Sequence, residues 1–283
     1  MISNRAALLL TAPALLLFVL LLVGPLAFLL RVSLLPSAPG AALAGPLSLA
    51  AYGELADPYT LGILTRTLRV AAVTTLACLV LGYPLAISIA RARGTSRTVQ
   101  TVLVISPLFV SVVVRAYGWI LVLGNRGLVN GALTWLGILA EPVRLLNTET
   151  AVVIGLVEAL LPFMVLSLAA VLERQDPALE EAARGLGDTA LGAFFRVTLP
   201  LSRPGALAGS LLVFMVSMGS FATPALLGGS EVRLMVTEIY TQMTAVFNWP
   251  LGAALSVVLL TVSVTVIVAV SRLAGTTRVS GAT

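Results

Sequence analysis

The residue types behind most enzyme chemistry are missing or isolated in this chain. Histidine is absent and all 17 basic residues are arginine. This removes the commonest general base and metal ligand, and the lysine that a G-x-x-x-x-G-K-[ST] nucleotide loop needs. The one cysteine, Cys78, stands inside an apolar run with no partner for a disulfide or a CxxC pair and reads as a buried structural thiol. Two charges lie where charge is costly. Arg115 and Glu158 each fall within a long apolar run, and a charge at the centre of a membrane span costs roughly 2.5 to 3.5 kcal/mol on insertion scales. Each needs a partner or a wet surface. At 1.5 Å per residue both sit roughly 10 to 12 Å below the outer ends of their runs, so a pair across neighbouring helices is expected. Contact between Glu158 and a cationic solute is a second reading, and snorkelling of one charge to the interface a third. Ser217, Gly219 and Ser220 form a small polar cluster that lets helices approach or water enter, with Pro84, Pro162 and Pro224 able to loosen helices nearby.

The elements that must hold these residues are membrane helices. The 283 residues are 59% hydrophobic and 10% charged, with mean hydropathy +1.06, where a soluble domain carries about 25% charged residues. The chain therefore reads as an all-α polytopic membrane protein. Six runs are long enough to cross as helices, at about 7–30, 61–90, 99–123, 151–172, 204–227 and 251–273. Arg66 and Arg69 place the first turns of the second run at the interface. The first run follows Arg5 and precedes an A-x-A pattern at Ala42, Leu43 and Ala44, but its apolar core is too long for a cleaved signal and reads as an uncleaved anchor. The net charge of +5 does not imply nucleic acid, because the arginines are scattered between apolar runs. They report orientation instead. With the N-terminus inside, Arg5, Arg91, Arg93, Arg97, Arg174, Arg184, Arg196, Arg203, Arg272 and Arg278 lie on inner segments. Only Arg31, Arg126, Arg144 and Arg233 lie on outer ones, so both termini are expected to be cytoplasmic.

The longest charged segment, 173–203, is then a cytoplasmic loop between the fourth and fifth spans. Asp176 and Pro177 supply an N-cap and a favourable first helical position. Leu179, Ala182, Ala183 and Leu186 form an apolar stripe. Gly185 and Gly187 permit a left-handed turn, after which Asp188 is expected to cap a second short helix bearing Leu191, Phe194 and Phe195, ended by Pro200. From the residues alone, this is a helical hairpin on the inner membrane surface.

The spacing resembles a known motif. Glu181, Ala182 and Ala183, three residues, Gly187, nine residues, Val197, one residue, then Leu199 and Pro200 resemble the EAA loop of ABC-importer permeases, with Val197 in place of isoleucine. Gly82, Tyr83 and Pro84, then Arg115, Tyr117 and Trp119, then Leu161, Pro162 and Phe163 resemble the spermidine/putrescine branch. Phe221, Pro224, Leu226, Leu227, Gly228 and Gly229 do so as well, and the chain looks like the first of the two permeases such systems encode.

The resemblance implies a type I ABC-importer permease fold of six transmembrane helices in a bacterial inner membrane. It also implies a loop that docks in a cleft of an ATPase subunit, with Glu181 available to a basic residue of that partner. The partners it implies are two ATP-binding subunits, a second related permease, an extracytoplasmic solute-binding protein and membrane lipid. ATP is used by the partner ATPase, and this chain binds no cofactor. A secondary transporter or channel is the competing reading, and Glu158 is its clear acidic candidate in the membrane. A membrane enzyme lacks a catalytic set.

Overall fold

Backbone N–H and C=O groups cannot stay unpaired in hydrocarbon, so long apolar runs settle as helices. Every regular element among the described residues of the computed structural model, residues 4–40, 43 and 45–276, is helical. Ala42, Ala44 and Arg278 lie outside the described residues. In chain order the helices are α1 (Asn4–Ser33), α2 (Ala50–Glu54), α3 (Pro58–Arg91), α4 (Gly94–Ile105), α5 (Val112–Leu123) and α6 (Leu128–Trp135). They continue with α7 (Glu149–Leu172), α8 (Pro177–Gly185), α9 (Ala190–Ala193), α10 (Leu199–Met218), α11 (Met235–Thr244) and α12 (Trp249–Thr276). Six segments are long and apolar enough to cross a membrane: Leu16–Ser33, Pro58–Arg91, Val112–Trp135, Glu149–Leu172, Ala190–Met218 and Trp249–Arg272.

The chain divides into two compact units. One comprises Met1–Gly62 and Glu238–Val262. Within it Tyr52 Oη and Ser33 Oγ are 2.8 Å apart, Gly40 N donates to the Phe247 carbonyl, and buried Asn248 donates from Nδ2 to Ser37 Oγ at 3.0 Å. The other comprises Ile63–Thr237 and Ser263–Thr283. Its core is built on α7, where Leu160, Met164, Val165 and Leu168 meet Cys78, Tyr83 and Ala86 of α3 and Val213 of α10. Small residues set the approach. A Cβ on Gly209 would lie 2.8 Å from Met164 Sδ, one on Gly205 would lie 2.8 Å from the Ser167 carbonyl, and one on Gly82 would lie 3.0 Å from Met164 Cγ. Gly205 and Gly209 form a G-x-x-x-G step, which lets two helix backbones come close where lipid offers no hydrophobic drive between them.

Three expected elements take a different form. The run 99–123 is not one helix: α4 gives way to a 3-10 turn at Ser106–Phe109 and extended backbone at Val110 before α5 begins. Pro107 has no N–H for the Leu103 carbonyl, and Ser106 Oγ donates to that oxygen at 2.9 Å instead. The run 204–227 ends as an α-helix at Met218, and a π turn at Pro224–Gly228 follows the break. Pro200 does not end the second loop helix. The chain stays helical from Ala190 to Met218 because a π turn at Phe194–Thr198, with Leu199 N donating to the Phe194 carbonyl, widens the backbone ahead of the proline ring.

Candidate functional site

The segment between α7 and α10 begins with the expected cap, Asp176 accepting from Ala178 N at 2.9 Å. At its other end Gly187 adopts φ +92, Gly187 N donates to the Arg184 carbonyl at 3.0 Å and Asp188 N to the Ala183 carbonyl at 3.2 Å. These are the paired bonds of a Schellman turn, which needs a residue tolerant of positive φ at that place. Asp188 does not cap the next helix. Thr189 does, accepting from Gly192 N at 3.0 Å, while Asp188 pairs with Arg196 at 3.1 Å. Asp188 uses Oδ2 for Arg196 and Oδ1 to accept from Thr189 N at 3.0 Å.

α8 is amphipathic yet buries none of its residues. Leu186 is 91% exposed, and Leu179, Leu191 and Phe195 are exposed with it. Glu181 and Ala182 are exposed and Ala183 is half-buried. Glu181 has no hydrogen-bond or ion-pair partner among the described residues. Val197, Leu199 and Pro200 are half-buried in the helical rod that follows. Between α8, the C-terminal end of α3 and this rod lies a cavity of about 400 Å³, lined among others by Arg91, Gln175, Glu180, Glu181 and Val197.

Arg115 on α5 and Glu158 on α7 come together. Arg115 Nη1 is 3.1 Å from Glu158 Oε1 and 3.2 Å from Oε2, with the side chains 13% and 27% exposed. Arg115 Nε is buried and has no partner among the described residues. The pair borders a small cleft shared with Gly155, Thr223 and Leu227. There the π turn at Pro224–Gly228 presses on α7: a Cβ on Gly155 would fall 2.5 Å from Leu227 Cδ1. The turn is latched at its far side by Asn147 N donating to the Leu227 carbonyl and by the ion pair of Arg144 with Glu231. Of the polar cluster at the end of α10, Ser217 is buried with its hydroxyl unpartnered among the described residues, Gly219 is the exposed C-cap, and Ser220 is half-buried.

The structure adds contacts that sequence reasoning did not foresee. Tyr83 meets Phe194 edge to face at 5.6 Å and its hydroxyl lies 2.9 Å from Ser202 Oγ. Glu180 pairs with Arg91, Arg97 with Glu173, and Glu149 with Arg66 and Arg69. The G-x-x-x-G step at Gly205 and Gly209 was visible in the sequence. The ion pairs were not, because nothing along the chain relates α3 and α4 to residues about 76 to 89 positions on.

Residues 79–278 match the family described as "binding-protein-dependent transport system inner membrane component". The chain is 40% identical over 212 residues to the spermidine/putrescine transport system permease protein PotB of Haemophilus influenzae, covering 75% of this chain and 74% of that one. It is 41% identical over 208 residues to the Escherichia coli protein of the same name, covering 74% and 76%. Among solved structures it is similar to a chain of a bacterial alginate ABC transporter in complex with an alginate pentasaccharide-bound periplasmic protein, with TM-score 0.78 and 19% identity over 95% of this chain and 94% of that one. At that identity the likeness concerns the fold. The family match spans most of the chain and the sequence relatives most of their own length, so the chain belongs to the binding-protein-dependent inner-membrane permease family and is a multi-pass transport subunit, not an enzyme.

Proposed function

We propose that this permease forms half of the channel of an ATP-driven importer of small polycations, spermidine or putrescine foremost, and that α8 docks on a separate ATPase. The exposed apolar stripe of α8 carries the reading. A helix that buries nothing of its own, presents Leu179 and Leu186 to the outside and leaves Glu181 unpaired is shaped to enter a partner's cleft. The substrate class rests on the named transport role of the PotB relatives. Glu158 is the carboxylate in the membrane that an ammonium group would meet, in exchange for Arg115.

The assembly consists of two ATP-binding subunits, a second related permease beside this one and an extracytoplasmic binding protein. That protein meets the outer segments 31–60, 124–150 and 228–250. Both termini and the 173–203 segment lie in the cytoplasm. ATP is bound by the partner ATPase and no cofactor by this chain, whose lack of lysine leaves no P-loop.

The test is copurification of this chain with the products of its neighbouring genes, followed by ATPase measurements with candidate binding proteins. Recovery of an ATPase and a second permease, with hydrolysis stimulated by a spermidine-loaded binding protein, is the expected result. Recovery of this chain alone, moving solute without ATP, would overturn the reading in favour of a secondary transporter.

A further inference from the structure

A helix that receives force from a partner must pass it to its own chain, and α8 has few means of doing so. None of its residues is buried, and a cavity of about 400 Å³ separates it from the C-terminal end of α3. The cavity is open to solvent, so α8 is not packed along α3. Among the described residues, the only side chain of α8 that makes an ion pair or hydrogen bond is Glu180. Its Oε2 pairs with Arg91 in the last turn of α3 and accepts from Thr198 Oγ1 at 3.4 Å. The same oxygen thus touches both α3 and the π turn that leads into α10.

α3 is also the element that holds the second half of the segment. Tyr83, eight residues before Arg91, packs on Phe194 and bonds Ser202. Arg91 and Tyr83 therefore take hold of α8 and of the following rod at two levels of one helix. Glu180 and Glu181 are adjacent, but on a helix neighbouring residues point about 100° apart. One carboxylate is committed to α3 and the other has no partner among the described residues.

We propose that the Arg91–Glu180 pair is the strut through which displacement of α8 enters the membrane helices, which makes Glu180 and Arg91 positioning residues for transport. The proposal rests on α8 being the ATPase-docking helix. An exposed ion pair contributes little to stability, so its loss should leave the chain folded and inserted while transmission fails.

The experiment uses the complete complex in proteoliposomes, with the ATPase, the second permease and spermidine-loaded binding protein. Arg91→Gln and Glu180→Gln should each retain the ATPase through purification and keep its unstimulated hydrolysis. Each should lose roughly fivefold or more of substrate-stimulated hydrolysis and of uptake, the scale of a typical coupling free energy. The charge-exchanged double variant, Arg91→Glu with Glu180→Arg, should regain most of both. Parent-like stimulation in the single variants overturns the strut, as does a double variant no better than either single one. Loss of the ATPase from Arg91→Gln also overturns it, by placing Arg91 in the docking surface. Failure of the unmodified chain to retain any ATPase removes the docking assignment itself, a result the single variants do not mimic.

Discussion

Arg115 and Glu158 answer for each other only in part. The carboxylate receives both contacts from one guanidinium nitrogen, and the buried Nε beside it has no partner among the described residues. Removing either charge leaves the other facing an apolar surround. Glu158→Gln or Arg115→Gln is expected to cost about 1 to 3 kcal/mol in stability, measured by thermal unfolding in detergent, and to lower uptake. The exchange of the two charges should restore both, and an exchange that restores neither would show that the pair does not act as one. If α8 docks on the ATPase as proposed, Glu181→Lys should abolish substrate-stimulated hydrolysis while the chain remains in the membrane. Gly187→Arg should do the same, since any side chain at φ +92 is strained and opens the Schellman turn. Normal transport by both variants would remove the docking assignment.

Helices meet where side chains are small, and α7 packs against α3, α5 and α10. Gly205→Leu or Gly209→Leu would drive a side chain into the Ser167 carbonyl or Met164, atoms already within 2.8 Å of an added Cβ. Overpacking of that kind costs about 1 to 3 kcal/mol, occasionally more. These variants should unfold at lower temperature and accumulate less in the membrane, whereas Leu212→Ala on an exposed face of α10 should change little. At this scale the sequence was legible in length and less so in continuity. Apolar runs marked out membrane helices, and the cap at Asp176 and the left-handed turn at Gly187 followed from residue type. The break at Ser106–Ser111 and the passage of the chain through Pro200 did not. Both depend on how a backbone missing one N–H is repaired, by the Ser106 hydroxyl in one case and by a widened turn in the other. Hydropathy carries no record of such repairs. The depth of Arg115 and Glu158 could be counted from their runs, but the choice of Glu180 over Glu181 for Arg91 needed the orientation of α8, which no local pattern sets.

Across the whole molecule the distribution of arginine implies a direction in the membrane, an expectation that can be tested with one reactive residue at a time. Cys78 is buried and is the single cysteine of the chain, so Cys78→Ala gives a thiol-free background. Leu186→Cys should then react with a membrane-impermeant maleimide only in inside-out vesicles, and Trp135→Cys, on a residue 85% exposed, only in right-side-out ones. The reverse pattern would invert the orientation. The bareness of α8 also has a hereditary consequence. Gly82 and Gly209 both press on Met164, so a lesion at either glycine has a neighbour in the same gene that can mutate to relieve it. Glu181 has no such partner among the described residues. Suppressors of Glu181→Lys should therefore arise in the ATPase gene, tying the inheritance of this short helix to a second locus.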